Sequence, residues 1–220
     1  MSVGDRASLG LYRAVRGLIA GLAALLFRMR IEGAKNIPST GAFVLAPVHR
    51  SNLDFALVAP ITKRRMRYMG KDSLWKGPKI FGAFISALGA FPVHRGSADR
   101  EALRRCIEVV ERGEPLVLFP EGTRKSGPVV EDIFEGAAYV ATKAGIPVVP
   151  VGIGGSERAM PKGAKMIKPG RIVIVVGAAL EAERPADGSR PSRRATHELT
   201  ERLHKELQRL FDEAQVKAGA

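Results

Sequence analysis

Two short runs hold most of the chemistry this chain can perform. In His49-Arg50-Ser51-Asn52-Leu53-Asp54 a carboxylate follows an imidazole by five positions. A neutral imidazole accepts a proton through one ring nitrogen while the other donates to such a carboxylate, which fixes the tautomer and stabilises the imidazolium as it forms. Farther along lies Phe119-Pro120-Glu121-Gly122-Thr123-Arg124. There Gly122 permits close backbone approach, Thr123 offers a hydroxyl, and Arg124 offers a planar fork of donors for phosphate. Glu121 would repel a phosphate unless it binds a hydroxyl or holds Arg124 in place, and the second role is favoured. A general base beside an anion-binding loop points to an enzyme that deprotonates a hydroxyl on a phosphorylated substrate.

A third run, Gly89-Ala90-Phe91-Pro92-Val93-His94-Arg95-Gly96, supplies a second arginine after an apolar stretch. Two arginines arriving from separate loops suit a phosphomonoester better than one. His94 is a rival base, but no carboxylate is spaced to orient it.

The elements that must position these residues follow from hydrophobic period. β-branched apolar runs at 42–46, 116–119, 148–153 and 172–176 predict strands, and 99–112 and 131–144 predict helices between them. Gly145 and Pro147 supply a helix stop. This alternation predicts a single α/β domain with a central, largely parallel sheet flanked by helices. Pro47 closes the first strand, and Ser51-x-x-Asp54 resembles a capping box that opens a helix through Phe55, Leu57 and Val58, ending near Pro60. In an open parallel sheet, ligands bind at the carboxyl ends of the strands, where both loops must then lie.

The first thirty residues form an amphipathic helix, with Leu11, Val15, Leu18, Ile19, Leu22, Leu25, Leu26 and Met29 on one side. Arg13, Arg16 and Arg28 lie opposite, among small residues. The charge-free run from Gly17 to Phe27 would be roughly 16 Å long, about half a bilayer core. Arg28 and Arg30 stand where a signal peptide would carry its small-residue cleavage site. Two readings are open: a helix lying in a membrane interface, or one packed on its own core. The predicted divisions are an N-terminal helical segment at 1–33, a catalytic domain at 34–182, a connector at 183–195 and a C-terminal amphipathic helix at 196–220. The last docks on the core or receives a partner.

Composition narrows the partners. Thirty-five Lys and Arg against 22 Asp and Glu give a net charge of +13 over 220 residues, which favours anionic partners. With 6% aromatic residues and no interleaving of basic and aromatic positions, nucleic acid is not among those expected. A single cysteine, Cys106, on the apolar side of a helix reads as a buried structural thiol. His49 and Asp54 lack a third ligand at recognisable spacing, so no metal is expected.

These motifs resemble the glycerolipid acyltransferase family, of the 1-acylglycerol-3-phosphate type. Four blocks appear in the family's order: His49-x4-Asp54, Gly89 to Arg95, Phe119 to Arg124, and Ile146-Pro-Val-Val-Pro-Val151. The resemblance covers about residues 40–180. It implies His49 as catalytic base, Asp54 as its orienting carboxylate, and Arg95, Glu121, Gly122, Thr123 and Arg124 as the acceptor's glycerol-phosphate site. It further implies a lysophospholipid acceptor, acyl-CoA or acyl-carrier protein as co-substrate, no resident cofactor, and phosphatidic acid as product. Acceptor and product are anionic amphiphiles, so the first helix is then expected at an anionic membrane surface, peripheral or monotopic on the cytoplasmic face of the cell membrane. Rival readings are another lyso-lipid or glycolipid acceptor, or a catalytically silent lipid-binding protein. A serine hydrolase is disfavoured because Gly154-Gly155-Ser156-Glu157-Arg158 fails as a nucleophile elbow.

Overall fold

The computed structural model describes residues 3–93, 100–185 and 190–220. The chain opens with helix α1 (Val3–Phe27) and strand β1 (Arg30–Glu32). It continues through β2 (Val44–Pro47), α2 (Asp54–Leu57), β3 (Arg67–Lys71), α3 (Lys79–Ala87), β4 (Ala90–Val93), α4 (Arg100–Glu111) and β5 (Leu116–Val117). The remainder holds α5 (Gly136–Ala144), β6 (Val148–Gly154), α6 (Ser156–Ala159), β7 (Val173–Val176) and α7 (Arg193–Ala218).

The described strands form one α/β sheet in the order β1-β7-β6-β2-β5-β3-β4, mostly parallel as the alternation predicted, with an antiparallel β6–β7 pair. β2, β6 and β7 are buried along their whole length, which is why they read as unbroken apolar runs. β1 and β3 carry charged residues and no such run, and neither was legible in the sequence.

Connection direction sorts the helices between the two faces. From β2 the chain moves one way along the sheet through α2 and β3 to β4, then returns through α4 to β5 and through α5 to β6. Right-handed crossovers in opposite directions place their helices on opposite faces. Accordingly α4, α5 and α7 pack side by side, while α1 packs with α2 and α3. α7 lies directly on β6. A Cβ at Gly152 would sit 2.2 Å from the Leu210 carbonyl oxygen, and one at Gly154 2.1 Å from that of Ala214.

Two predicted boundaries move. α5 begins at Gly136 rather than at 131, because the preceding residues are held elsewhere: the Phe134 amide donates to the Pro120 carbonyl at 2.9 Å. α7 begins at Arg193, inside the span predicted as connector, because the Ser192 hydroxyl accepts the Ala195 amide and caps it. Cys106 is buried, and burial pushes its thiol up to about 12.

α1 is longer than its charge-free run. By length and apolar composition alone, Arg6–Phe27 would suffice to cross a membrane. Its inner face is tied to the domain, however. The Tyr12 hydroxyl donates to the Arg64 carbonyl at 3.3 Å, Arg65 donates to the Ser8 hydroxyl at 3.1 Å, and Tyr12, Ala23 and Phe27 are buried.

Candidate active site

β2 and β5 are neighbours whose following helices, α2 and α5, go to opposite faces. The crevice where connections diverge in this way is the usual ligand site of an open α/β sheet. His49 follows β2, and the Phe119–Arg124 loop follows β5, so this crevice brings both motifs together. The Lys125 amide donates to the His49 carbonyl at 2.9 Å, joining the two loops directly.

Asp54 is fully buried in the first turn of α2. Its Oδ2 accepts from the backbone amides of Arg50 and Ser51, each at 2.7 Å, and lies 3.1 Å from His49 Nδ1. The expected capping box is half formed: Asp54 reaches back to the Ser51 amide, while the Ser51 hydroxyl takes the Leu53 amide at 3.2 Å. With a carboxylate facing Nδ1, that nitrogen carries the proton and donates it. Nε2 is thereby left with its lone pair, and it has no hydrogen-bond partner among the described residues. The ring is 19% exposed and stacks against Phe119 at a centroid distance of 4.2 Å. An imidazole oriented through Nδ1, with Nε2 unengaged and the ring partly exposed, has the geometry a general base requires.

Glu121 corrects the expectation. It is buried and does not hold Arg124. One carboxylate oxygen accepts the His49 amide at 2.7 Å, and the other accepts a hydrogen bond from the Arg50 guanidinium. The cause is the turn at Gly122, whose φ of 67° lies in the left-handed region. A Cβ there would come within 2.6 Å of the Phe134 ring. Glu121 is turned beneath the strand ends while Gly122 and Thr123 face solvent. Glu121 is thus a brace between the two motifs rather than a ligand contact.

Arg50 is the residue that sequence reading missed. It is fully buried, with its guanidinium 4.7 Å from the Phe211 ring centroid and a hydrogen bond to the Val129 carbonyl at 3.0 Å. Its only signal was a cation placed between the two candidate catalytic residues. The Arg50–Glu121 pair sits in low dielectric, where removing one partner costs about 3–5 kcal/mol. A second layer holds Val129 in place. From α7, Gln208 accepts the Val130 amide at 2.7 Å and His204 Nε2 donates to the Val130 carbonyl at 2.7 Å.

The outer residues of the second loop differ in kind. Thr123 and Arg124 make no side-chain hydrogen bond or ion pair among the described residues, whereas the neighbouring Lys125 is paired with Glu131. The hydrogen bond from Lys125 draws the Glu131 carboxyl below its ordinary value. Arg124 is therefore an uncommitted cation on the loop that is joined to His49. Arg95 and His94 lie outside the described residues. The backbone amides of His49, Arg50 and Ser51, in the turn before α2, all serve Glu121 or Asp54.

Residues 28–154 match the family model described as Acyltransferase. The chain is 29% identical over 154 residues to a chloroplast 1-acyl-sn-glycerol-3-phosphate acyltransferase of Arabidopsis thaliana, covering 68% of this chain and 43% of that protein. It is 26% identical over 202 residues to the 1-acyl-sn-glycerol-3-phosphate acyltransferase of Bacillus subtilis, covering 91% and 96%. The chain thus spans less than half the length of the chloroplast relative and nearly all of the bacillar one. Its fold is similar to the crystal structure of the 1-acyl-sn-glycerophosphate acyltransferase PlsC from Thermotoga maritima, with a TM-score of 0.75 at 23% identity over 96% of this chain and 83% of that one. With the family model matched over more than half the length of the chain, this protein belongs to the acyltransferase family.

Proposed function

We propose that this protein acylates the free hydroxyl of a 1-acylglycerol-3-phosphate, using acyl-CoA or acyl-carrier protein as donor and releasing phosphatidic acid. The observation that carries this reading is the Asp54-oriented, partly exposed His49 ring joined through the Lys125 amide to the loop that carries the uncommitted Arg124 and Thr123.

His49 Nε2 takes the hydroxyl proton as the acceptor oxygen attacks the thioester carbonyl. Asp54 holds the ring and offsets the charge that the imidazolium acquires. The tetrahedral intermediate collapses with cleavage of the carbon–sulfur bond, and the imidazolium proton passes to the departing thiolate. Arg124 and Thr123 hold the acceptor phosphate, with Arg95 as a second cation. Arg50 and Glu121 keep the two loops in register, and no acyl-enzyme is needed.

The acceptor resides in a bilayer, and the exterior of α1 fits that location. Its leucines face away from the domain, with Leu18 62% and Leu25 77% exposed, next to the exposed Ile80, Phe81 and Phe84 of α3. Docked along the domain by Tyr12, α1 lies in the interface of an anionic membrane rather than crossing it. On this reading the protein works at the cytoplasmic face of the cell membrane, peripheral or monotopic.

The test is acyl transfer from palmitoyl-CoA to lysophosphatidic acid in detergent, with wild type beside His49→Ala. Phosphatidic acid from wild type and a loss of roughly 10²-fold or more in the variant support the reading. Equal rates would remove His49 as base. Absence of transfer by both would remove the acceptor or the donor.

A further inference from the structure

The loop between α6 and β7 has an unusual composition. From Pro161 to Arg171 it contains Lys162, Lys165, Lys168 and Arg171, with no acidic residue between Glu157 and Glu181. Among these cations stand two apolar residues that face outward, Met166 at 78% and Ile167 at 47% exposure. The four cations make no ion pair among the described residues. An isolated exposed apolar residue needs no explanation, but an adjacent apolar pair ringed by unpaired cations is the pattern of a surface seated in lipid headgroups.

The loop is built rather than loose. Its ends meet where the Lys168 amide donates to the Ala159 carbonyl at 2.8 Å, and the Ala164 amide donates to the Pro161 carbonyl at 3.0 Å. This is a closed surface loop of the Ω kind. It stands off from α6 and the end of α7 across a groove of ≈ 590 Å³ lined by Glu157, Arg158, Pro161 and Gln215.

Both ends of the loop are also wired to elements already described. At one end the Ser51 hydroxyl donates to the Met160 carbonyl at 2.8 Å, beside the buried Asp54. At the other, the amides of Gly170 and Ile172 donate to the carbonyls of Leu26 and Phe27, the last turn of α1, at 3.2 and 3.0 Å. The loop therefore bridges the active-site crevice and the end of α1, where Leu25 and Arg28 are exposed.

We infer that residues 161–171 are a second contact with an anionic bilayer, continuous with α1, in which Met166 and Ile167 enter the interface and the surrounding lysines meet acidic headgroups. The inference rests on the membrane reading of α1 above and adds a distinct element to it. Its consequence is orientation: α1 alone is a line of contact about which the domain can roll. A second contact at the crevice end turns the mouth of the site toward the lipid that carries the acceptor.

The experiment uses the full chain and two loop variants, the triple Lys162→Gln/Lys165→Gln/Lys168→Gln and the double Met166→Ser/Ile167→Ser. Binding is measured by cosedimentation with phosphatidylcholine vesicles, with and without phosphatidylglycerol. The triple variant is expected to lose roughly tenfold or more of its affinity for the phosphatidylglycerol vesicles only. The double variant should weaken on both. Because all five side chains are exposed, the melting temperature should not move, and turnover of a water-soluble short-chain acceptor should match wild type. Turnover of vesicle-borne acceptor should fall with binding. Variants that bind like wild type, when wild type binds, overturn the loop contact and leave the role of α1 standing. Wild type that binds neither vesicle overturns both. A triple variant that binds vesicles normally but loses turnover only with acyl-carrier protein as donor would make the loop a protein contact and overturn the inference.

Discussion

The two long helices at the ends of the chain, α1 with 25 residues and α7 with 26, are both amphipathic and take opposite fates. α7 buries its stripe completely: Leu199, Leu203, Leu207, Leu210 and Phe211 all lie against the sheet or α5, and its charged residues pair along the outside. Among its described side chains α1 buries only Tyr12, Ala23 and Phe27, and it leaves Leu11, Leu18, Leu22, Leu25 and Leu26 in the open. The difference teaches that an apolar stripe reports a need for an apolar partner without saying which one. In α7 small and apolar residues meet a strand whose glycines admit the helix backbone. In α1 the face that meets the domain is the one carrying tyrosine and alanine, so the leucine face is left for something outside the chain.

The comparison can be broken by substitution. Phe211→Ala should have the largest effect, a loss of about 3–5 kcal/mol, since it opens a cavity and uncovers the buried guanidinium of Arg50. A urea midpoint close to wild type would mean that α7 is not core. Gln208→Ala should cost about 1–3 kcal/mol, because the buried Val130 amide loses its acceptor. The same substitution should depress kcat, since Val130 adjoins the carbonyl that holds Arg50.

Smaller effects sharpen the contrast from the side of α1. Burial holds the Tyr12 phenol above its ordinary 10.0. The docked phenol therefore stays protonated where a released one ionises, so docking is at full strength below pH 10 and weakens as pH climbs beyond it. Tyr12→Phe should abolish that dependence at a cost of about 1 kcal/mol, which hydrogen exchange of the α1 amides would report. The smallest effect belongs to Leu18→Ser with Leu25→Ser. Stability should stay within about 0.5 kcal/mol of wild type, while vesicle binding is lost. A marked drop in melting temperature instead would place those leucines against protein.

Legibility in the sequence followed distance along the chain. The His49–Asp54 pair could be read because its geometry is local: a strand end, a turn and the first turn of a helix place both side chains within a few residues. The fully buried strands could be read because covering both faces of a strand leaves an unbroken apolar run. Glu121 was misassigned because its partners, Arg50 and the His49 amide, stand more than seventy positions away. β1 and β3 escaped because charged residues interrupt their apolar character.

By itself the sequence determined the alternation of strand and helix, the imidazole with its carboxylate, and the glycine-bearing loop that follows β5. These depend on residue type and short spacing, which the chain carries wherever it folds. Only the tertiary structure decided that Arg50 and Glu121 lock the two loops together, that α7 supports that lock, and that the leucines of α1 face outward. Each of those outcomes depends on which surfaces meet, and burial of a charge or a stripe is settled by its partner rather than by its own composition.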